Sequence, residues 1–167
     1  MFAVSSAIDI AVGPERVWRV LMDFANYRSW HPYVELEGSP VLGGGIDFYF
    51  RNNPDGPRGL KGSACVSQLE PDKRFGFKLG VPVLCMMEQW YALEATDGGT
   101  RVTYASNFHG ALPAIMGGLV RKKLLLLHRV PIERLARGFI KTSSSSPIQP
   151  GKIPPKPRKG FRSYRAK

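Results

Sequence analysis

The chain has 167 residues, 43% of them hydrophobic, enough for one domain with a sizeable core and too few for two ordinary ones. No run approaches the roughly 20 apolar residues that span a bilayer, and the opening MFAVSSAIDIAVG has Asp9 and no basic residue before Arg16, unlike a signal peptide, so a soluble, cytoplasmic protein is expected. The net charge of +11 suggests nucleic acid until it is divided: seven Lys or Arg and no acid lie in 142–167, leaving 17 basic and 13 acidic residues before them.

In chain order, Phe2 to Ala11 alternates as a strand, with Val4, Ser6, Ile8 and Ile10 on one face. Pro14 and Glu15 then open a helix whose apolar stripe is Val17, Val20, Leu21 and Phe24, with Trp18 beside it. Past Phe24 the periodicity stops. Asn26, Ser29 and Pro32 break the backbone, while Tyr27, Trp30 and Tyr33 cluster around His31 as the rim of a cavity would. Val34 to Glu37, Ile46 to Arg51, Ala64 to Leu69, Arg74 to Leu79, Met86 to Ala95 and Thr100 to Phe108 read as strands. The GGG, NNPDGP, EPDK and TDGG between them supply turns, which makes an antiparallel meander. One long helix is predicted from Pro113 to about Ile140, with Met116, Leu119, Val120, Leu124, Leu127, Leu135 and Phe139 near one stripe and Pro131 kinking or interrupting it.

Pro14, Val17, Trp18, Leu21, Asp23, Phe24, Tyr27, Trp30, Pro32 and Tyr33 match a P-x-x-V-W-x-x-L-x-D-F-x-x-Y-x-x-W-N-P-F pattern, with His31 where asparagine is usual. In this the chain resembles the START-like (SRPBCC) superfamily, the polyketide cyclase/dehydrase, lipid-transport and Bet v 1-like group. The likeness continues through Leu69-Glu70-Pro71, the Glu88 to Glu94 strand, Gly99 to Thr103 and Phe108-His109-Gly110, and fades near residue 140. It implies an α+β helix-grip fold: a curved antiparallel sheet of about seven strands around a long C-terminal helix, two short helices after the first strand, and an internal hydrophobic cavity. The domain is expected over 1–141. The Ser-, Pro- and Lys/Arg-rich 142–167 is expected to be a disordered tail, since it has too little apolar surface to offset its ordering entropy.

If the sheet wraps the last helix, Gln89, Tyr91 and Leu93 face inward together with Val102, Tyr104, Ser106 and Phe108. Four polar tips in one core need partners, and a ligand or water would supply them. Trp30, Phe48, Phe50, Met116, Leu119 and Val120 are further candidate ligand contacts. Trp90 faces the other way. His31 is the candidate acid/base, since an imidazole serves either role near neutral pH, with Arg28 or Tyr33 polarising a carbonyl. The alternative gives His31 only a turn-stabilising hydrogen bond in place of the asparagine amide.

Cys65 and Cys85 carry no disulfide or zinc spacing and read as buried free thiols. G-x-S-x-G, H-E-x-x-H, P-loop and dinucleotide motifs are absent, and acids and histidines do not cluster at metal-ligand spacing, so any catalysis is expected to need no cofactor or metal. The leading expectation is a binder of a lipophilic small molecule such as a lipid, quinone or polyketide. A cofactor-independent cyclase, aromatase or dehydratase in the same cavity is the alternative. A third reading makes the chain an interaction module whose basic tail meets an anionic membrane or RNA, and a homodimer is left open.

Overall fold

The computed structural model describes the backbone of residues 2–144, and their side chains apart from 114, 116–121 and 141–144. Met116, Leu119 and Val120 of the expected apolar wall, and tail residues 145–167, lie outside the described residues.

The order is β1 (Phe2–Ile10), α1 (Pro14–Met22), a 3-10 helix (Phe24–Ser29), β2 (Val34–Glu37), β3 (Gly45–Phe50), β4 (Leu60–Glu70), β5 (Arg74–Val81), β6 (Cys85–Thr96), β7 (Gly99–His109) and α2 (Ala111–Ser144). The strands form one antiparallel sheet in the order β1-β7-β6-β5-β4-β3-β2, so β1 crosses over to pair with the last strand. This is the expected helix-grip architecture: a curved sheet, two short helices after β1 and a long final helix.

α1 begins where Pro14 needs no amide partner and Glu15 meets the positive helix end, and it buries Val17 and Leu21 completely. Each such side chain contributes roughly 1.5–3 kcal/mol. These residues share one core with Phe75, Phe77, Val102, Ile132 and Leu135, so the first helix and the C-terminal half of α2 pack on the same concave face. A bulge between Val66 and Gln68 in β4 adds to the curl of the sheet. β4 starts at Leu60, four residues earlier than the alternation suggests, because its ladder with β3 continues to Phe50↔Leu60.

Three expectations need correction. α2 is not interrupted at Pro131, and its C-terminal half is anchored by buried Ile132, Leu135 and Ala136. Cys65 is exposed and Cys85 half-buried, both as free thiols, because Cys65 falls on the outward face of β4 between buried Ala64 and Val66. The connection around NNPDGP spans 51 to 59, shorter than the expected strand bounds leave, because β4 begins at Leu60.

The β5–β6 connection is tight. Gly80 has φ +125° and Val83 φ +67°. The Val83 and Leu84 carbonyls accept the Ala111 and Leu112 amides at 2.9 and 3.1 Å, so this loop caps two amides at the start of α2. Gly110, φ +111°, makes the close approach possible, since a Cβ there would meet the Leu84 and Val83 oxygens at 2.6 and 2.8 Å.

Candidate functional site

The inward face of β7 carries Val102, Tyr104, Ser106 and Phe108 in succession, in register with Leu93, Tyr91, Gln89 and Met87 of β6. Tyr91 and Tyr104 stack at 4.4 Å with rings 2° from parallel. The Tyr27 hydroxyl donates to that of Tyr91 at 3.1 Å, and the Gln89 amide nitrogen donates to the Tyr104 hydroxyl. The polar tips that the alternation brings inward therefore meet one another. Burial raises the pKa of all three tyrosines, so they stay neutral. Gln89 Oε1 and Trp30 Nε1 are buried with no partner among the described residues.

His31 lies inside this cluster, only 1% exposed, rather than at a mouth. The 3-10 helix delivers it: the His31 amide donates to the Tyr27 carbonyl at 2.9 Å, and Nδ1 accepts the Val34 amide at 3.0 Å, closing the turn into β2. An amide only donates, so Nδ1 is bare and the neutral ring carries its proton on Nε2, which donates to the Tyr104 hydroxyl at 3.2 Å. Burial, helped by the nearby His128, lowers the His31 pKa to about 3. The turn-stabilising bond is present, and the same ring reaches the tyrosine network.

Arg28 and Tyr33 are not brought to that network. Arg28 is exposed and stands 3.8 Å from Glu35, and the Tyr33 carbonyl accepts the Arg51 amide at 2.7 Å. Glu35 is buried and ion-paired with buried Arg51 and with Arg58, a cluster that ties β2 to the loop before β4. Nothing in the strand alternation signals it.

His128, which lies among leucines with no carboxylate partner visible in the sequence and so ranks below His31 there, is buried. Its Nδ1 lies 2.7 Å from the Leu124 carbonyl, which only accepts, so the neutral ring has its proton there. The bare Nε2 then accepts a hydrogen bond from the Ser106 hydroxyl at 2.7 Å. The ring stacks on Tyr104 at 4.5 Å, and burial lowers its pKa. A signal was available: His128 falls at helical spacing with Leu124, Ile132 and Leu135, on the stripe that faces the sheet.

Beyond Ser106 the interior opens. A groove of about 310 Å³ lies between the sheet and the N-terminal half of α2, walled by Phe2, Phe50, Phe108, Leu112, Leu124 and Leu127, with Lys123 and Asn52 as polar contacts. Phe2 and Phe108 stack at 4.8 Å across β1 and β7. Pro131 has no N–H to give the Leu127 carbonyl, which leaves that oxygen short of its helical donor beside the groove. Of the predicted ligand contacts, Phe50 and Phe108 line this groove. Ser106 lies one inward position deeper than Phe108, followed by Tyr104 with Tyr91 and Gln89 across the ladder. Phe48 packs on Phe77 at 5.8 Å. Trp30 covers Tyr27 and Tyr91 from the far side and lines a separate groove of about 550 Å³ with Leu135 and Phe139, edged by Arg134 and Arg137.

Among the described residues, no three His, Cys, Asp or Glu stand together as metal ligands, and no helix is long and apolar enough to cross a membrane.

The fold recurs among solved structures. Protein NE0264 from Nitrosomonas europaea is 18% identical and superposes with a TM-score of 0.65 over 86% of this chain and 97% of its own. Protein MLL2253 from Mesorhizobium loti is 17% identical, with a TM-score of 0.63 over 84% and 98%. A protein from Arthrobacter aurescens is 20% identical, with a TM-score of 0.66 over 83% and 86%. No curated protein matches the sequence. Residues 1–137 match the family described as polyketide cyclase / dehydrase and lipid transport, a span that takes in the whole sheet, both short helices and the His128–Ser106 contact, and the chain belongs to that family.

Proposed function

We propose that this protein binds a lipophilic small molecule in the groove between the sheet and α2, with the apolar part of the ligand against Phe2, Phe50, Phe108, Leu112 and Leu127 and a polar group turned inward toward Ser106 and His128. The observation that carries this reading is the continuity of the β7 face, where an apolar groove passes within two residues into a buried, hydrogen-bonded Ser–His–Tyr cluster. Its volume of about 310 Å³ is at the lower end of the roughly 300–1,000 Å³ of small-molecule sites, which suits one ring system or a short chain. The ligand class is a lipid, quinone or polyketide fragment with one oxygen function.

Native mass spectrometry of the freshly purified protein, followed by solvent extraction, tests the reading. A stoichiometric lipophilic adduct that is lost in Leu127→Trp, which fills the groove, is expected. A bare mass together with no binding of anilinonaphthalene sulfonate to the wild type would overturn it.

A second reading, cofactor-free cyclisation or dehydration in the same groove, is favoured by the His128–Ser106 pair. Proton transfer would then fall to His128, whose Nε2 lone pair faces Ser106 next to the groove. His31 instead bonds Val34 and Tyr104 and does not line the groove, and its pKa of about 3 makes it a poor base near neutral pH. His128→Gln should retain ligand and lose turnover under this reading. Equal loss of both would leave binding alone.

A further inference from the structure

Val83 is 86% exposed and Ile115 79% exposed, and Val81, Leu84 and Leu112 beside them are also open to solvent. The two backbone bonds from α2 to the β5–β6 loop bring these five aliphatic side chains into one region. A contiguous exposed patch of this kind marks an interaction surface. Capping α2 accounts for the left-handed backbone at Val83 but not for valine there. Glycine or asparagine adopts φ +67° more readily than a β-branched residue.

The patch continues along α2. Lys122 follows Ile115 by seven residues and Leu126 by eleven, which places all three on one outward helix face, and Leu126 is likewise exposed. Aliphatics with lysines among them on an exposed helix face are the pattern of a helix that lies in a lipid–water interface. Leu112 belongs both to this surface and to the groove wall, so the groove opens at the patch.

We infer that the β5–β6 loop and the N-terminal half of α2 form a docking surface for an anionic lipid bilayer. Lys122 and Lys123 complement acidic headgroups. A second copy of the chain is a poorer occupant, because a two-fold contact pairs this surface with itself and none of its named residues is acidic to meet Lys122 and Lys123. The docking calls on no residue of the basic segment 142–167, and α2 itself runs on for roughly 50 Å past Leu112. That a ligand is loaded through this surface rests on the carrier reading; the docking itself does not.

Co-sedimentation of the full chain with vesicles tests the inference. The wild type should partition onto phosphatidylcholine vesicles containing one third phosphatidylglycerol at least tenfold more than onto phosphatidylcholine alone. The double variant Val83→Asn, Ile115→Glu should lose that partition tenfold while keeping the wild-type melting curve and its binding of anilinonaphthalene sulfonate in the absence of vesicles. In Ile115→Trp, tryptophan emission should shift to the blue on adding the anionic vesicles. Unchanged partition of the double variant would assign the membrane contact to the tail and overturn the inference. So would a wild type that ignores both vesicles, or one that self-associates in sedimentation equilibrium through the same two residues. Lost vesicle binding with retained dye binding keeps this test separate from that of the groove.

Discussion

Along the inward face of β7, the two halves of α2 meet the sheet differently. Toward Val102 and Tyr104 the helix brings Ile132, Leu135 and His128 into full contact, and the aromatic hydroxyls behind them bond to one another and to His31. Toward Phe108 the helix brings Leu112, Leu124 and Leu127, which leave a groove between themselves and the phenylalanines. The strand alternates identically at both ends. What closes one end is a set of rings whose hydrogen-bonding tips meet, and what opens the other is a set of smooth side chains that leave a groove among the described residues. Stability should therefore reside at the Tyr91–Tyr104 end and ligand affinity at the Phe108 end.

The largest test of that division is Tyr91→Ala. It removes a fully buried ring stacked on Tyr104 and should cost about 3–5 kcal/mol in urea unfolding. A loss below about 1 kcal/mol would mean that this end is as loosely packed as the groove.

Acidification comes next. The His31 pKa is about 3 in the fold, against 6.5 in the unfolded chain, so only the unfolded chain takes up this proton between those values. The stability held above pH 6.5 is then lost as pH falls. Between pH 7 and pH 5 this one ring should lower the unfolding free energy by about 2 kcal/mol. His128 shifts in the same direction. Denaturant midpoints across that range should show the slope, and His31→Asn should remove the His31 part of it.

At fixed neutral pH, His31→Asn should cost only about 1 kcal/mol. An asparagine oxygen still accepts the Val34 amide, while the donor to Tyr104 is lost. A cost near zero would show that the Tyr104 contact contributes nothing. Smallest of all should be Leu127→Ala, under about 1 kcal/mol by thermal melting because the side chain is only half-buried. It should nevertheless weaken dye binding several-fold. If the ranking of these two ends were reversed, the groove would be core and the aromatic cluster the ligand site.

Much of the architecture was legible in the residues because periods of 2 and 3.6 are local. Six strand starts and the α1 boundary fell within a residue or two of the alternation, and the inward set on β6 and β7 was read correctly from its period. The Glu35–Arg51 pair and the Ser106–His128 contact were not legible, since each joins residues that only the sheet and the last helix bring together. Cys65 was misread for a similar reason: cysteine is usually buried, yet its place in β4 points outward.

By itself the sequence determined that a capped amphipathic helix and an aromatic turn precede a meander and a long helix, because capping, turn chemistry and periodicity act within a few residues. Only the tertiary structure decided which inward side chains bond to each other and which are left lining a space. That outcome depends on how closely each turn of α2 approaches β7, a distance set by the whole core at once, and it placed His31 deep among tyrosines, His128 against Ser106 and the groove one step beyond them.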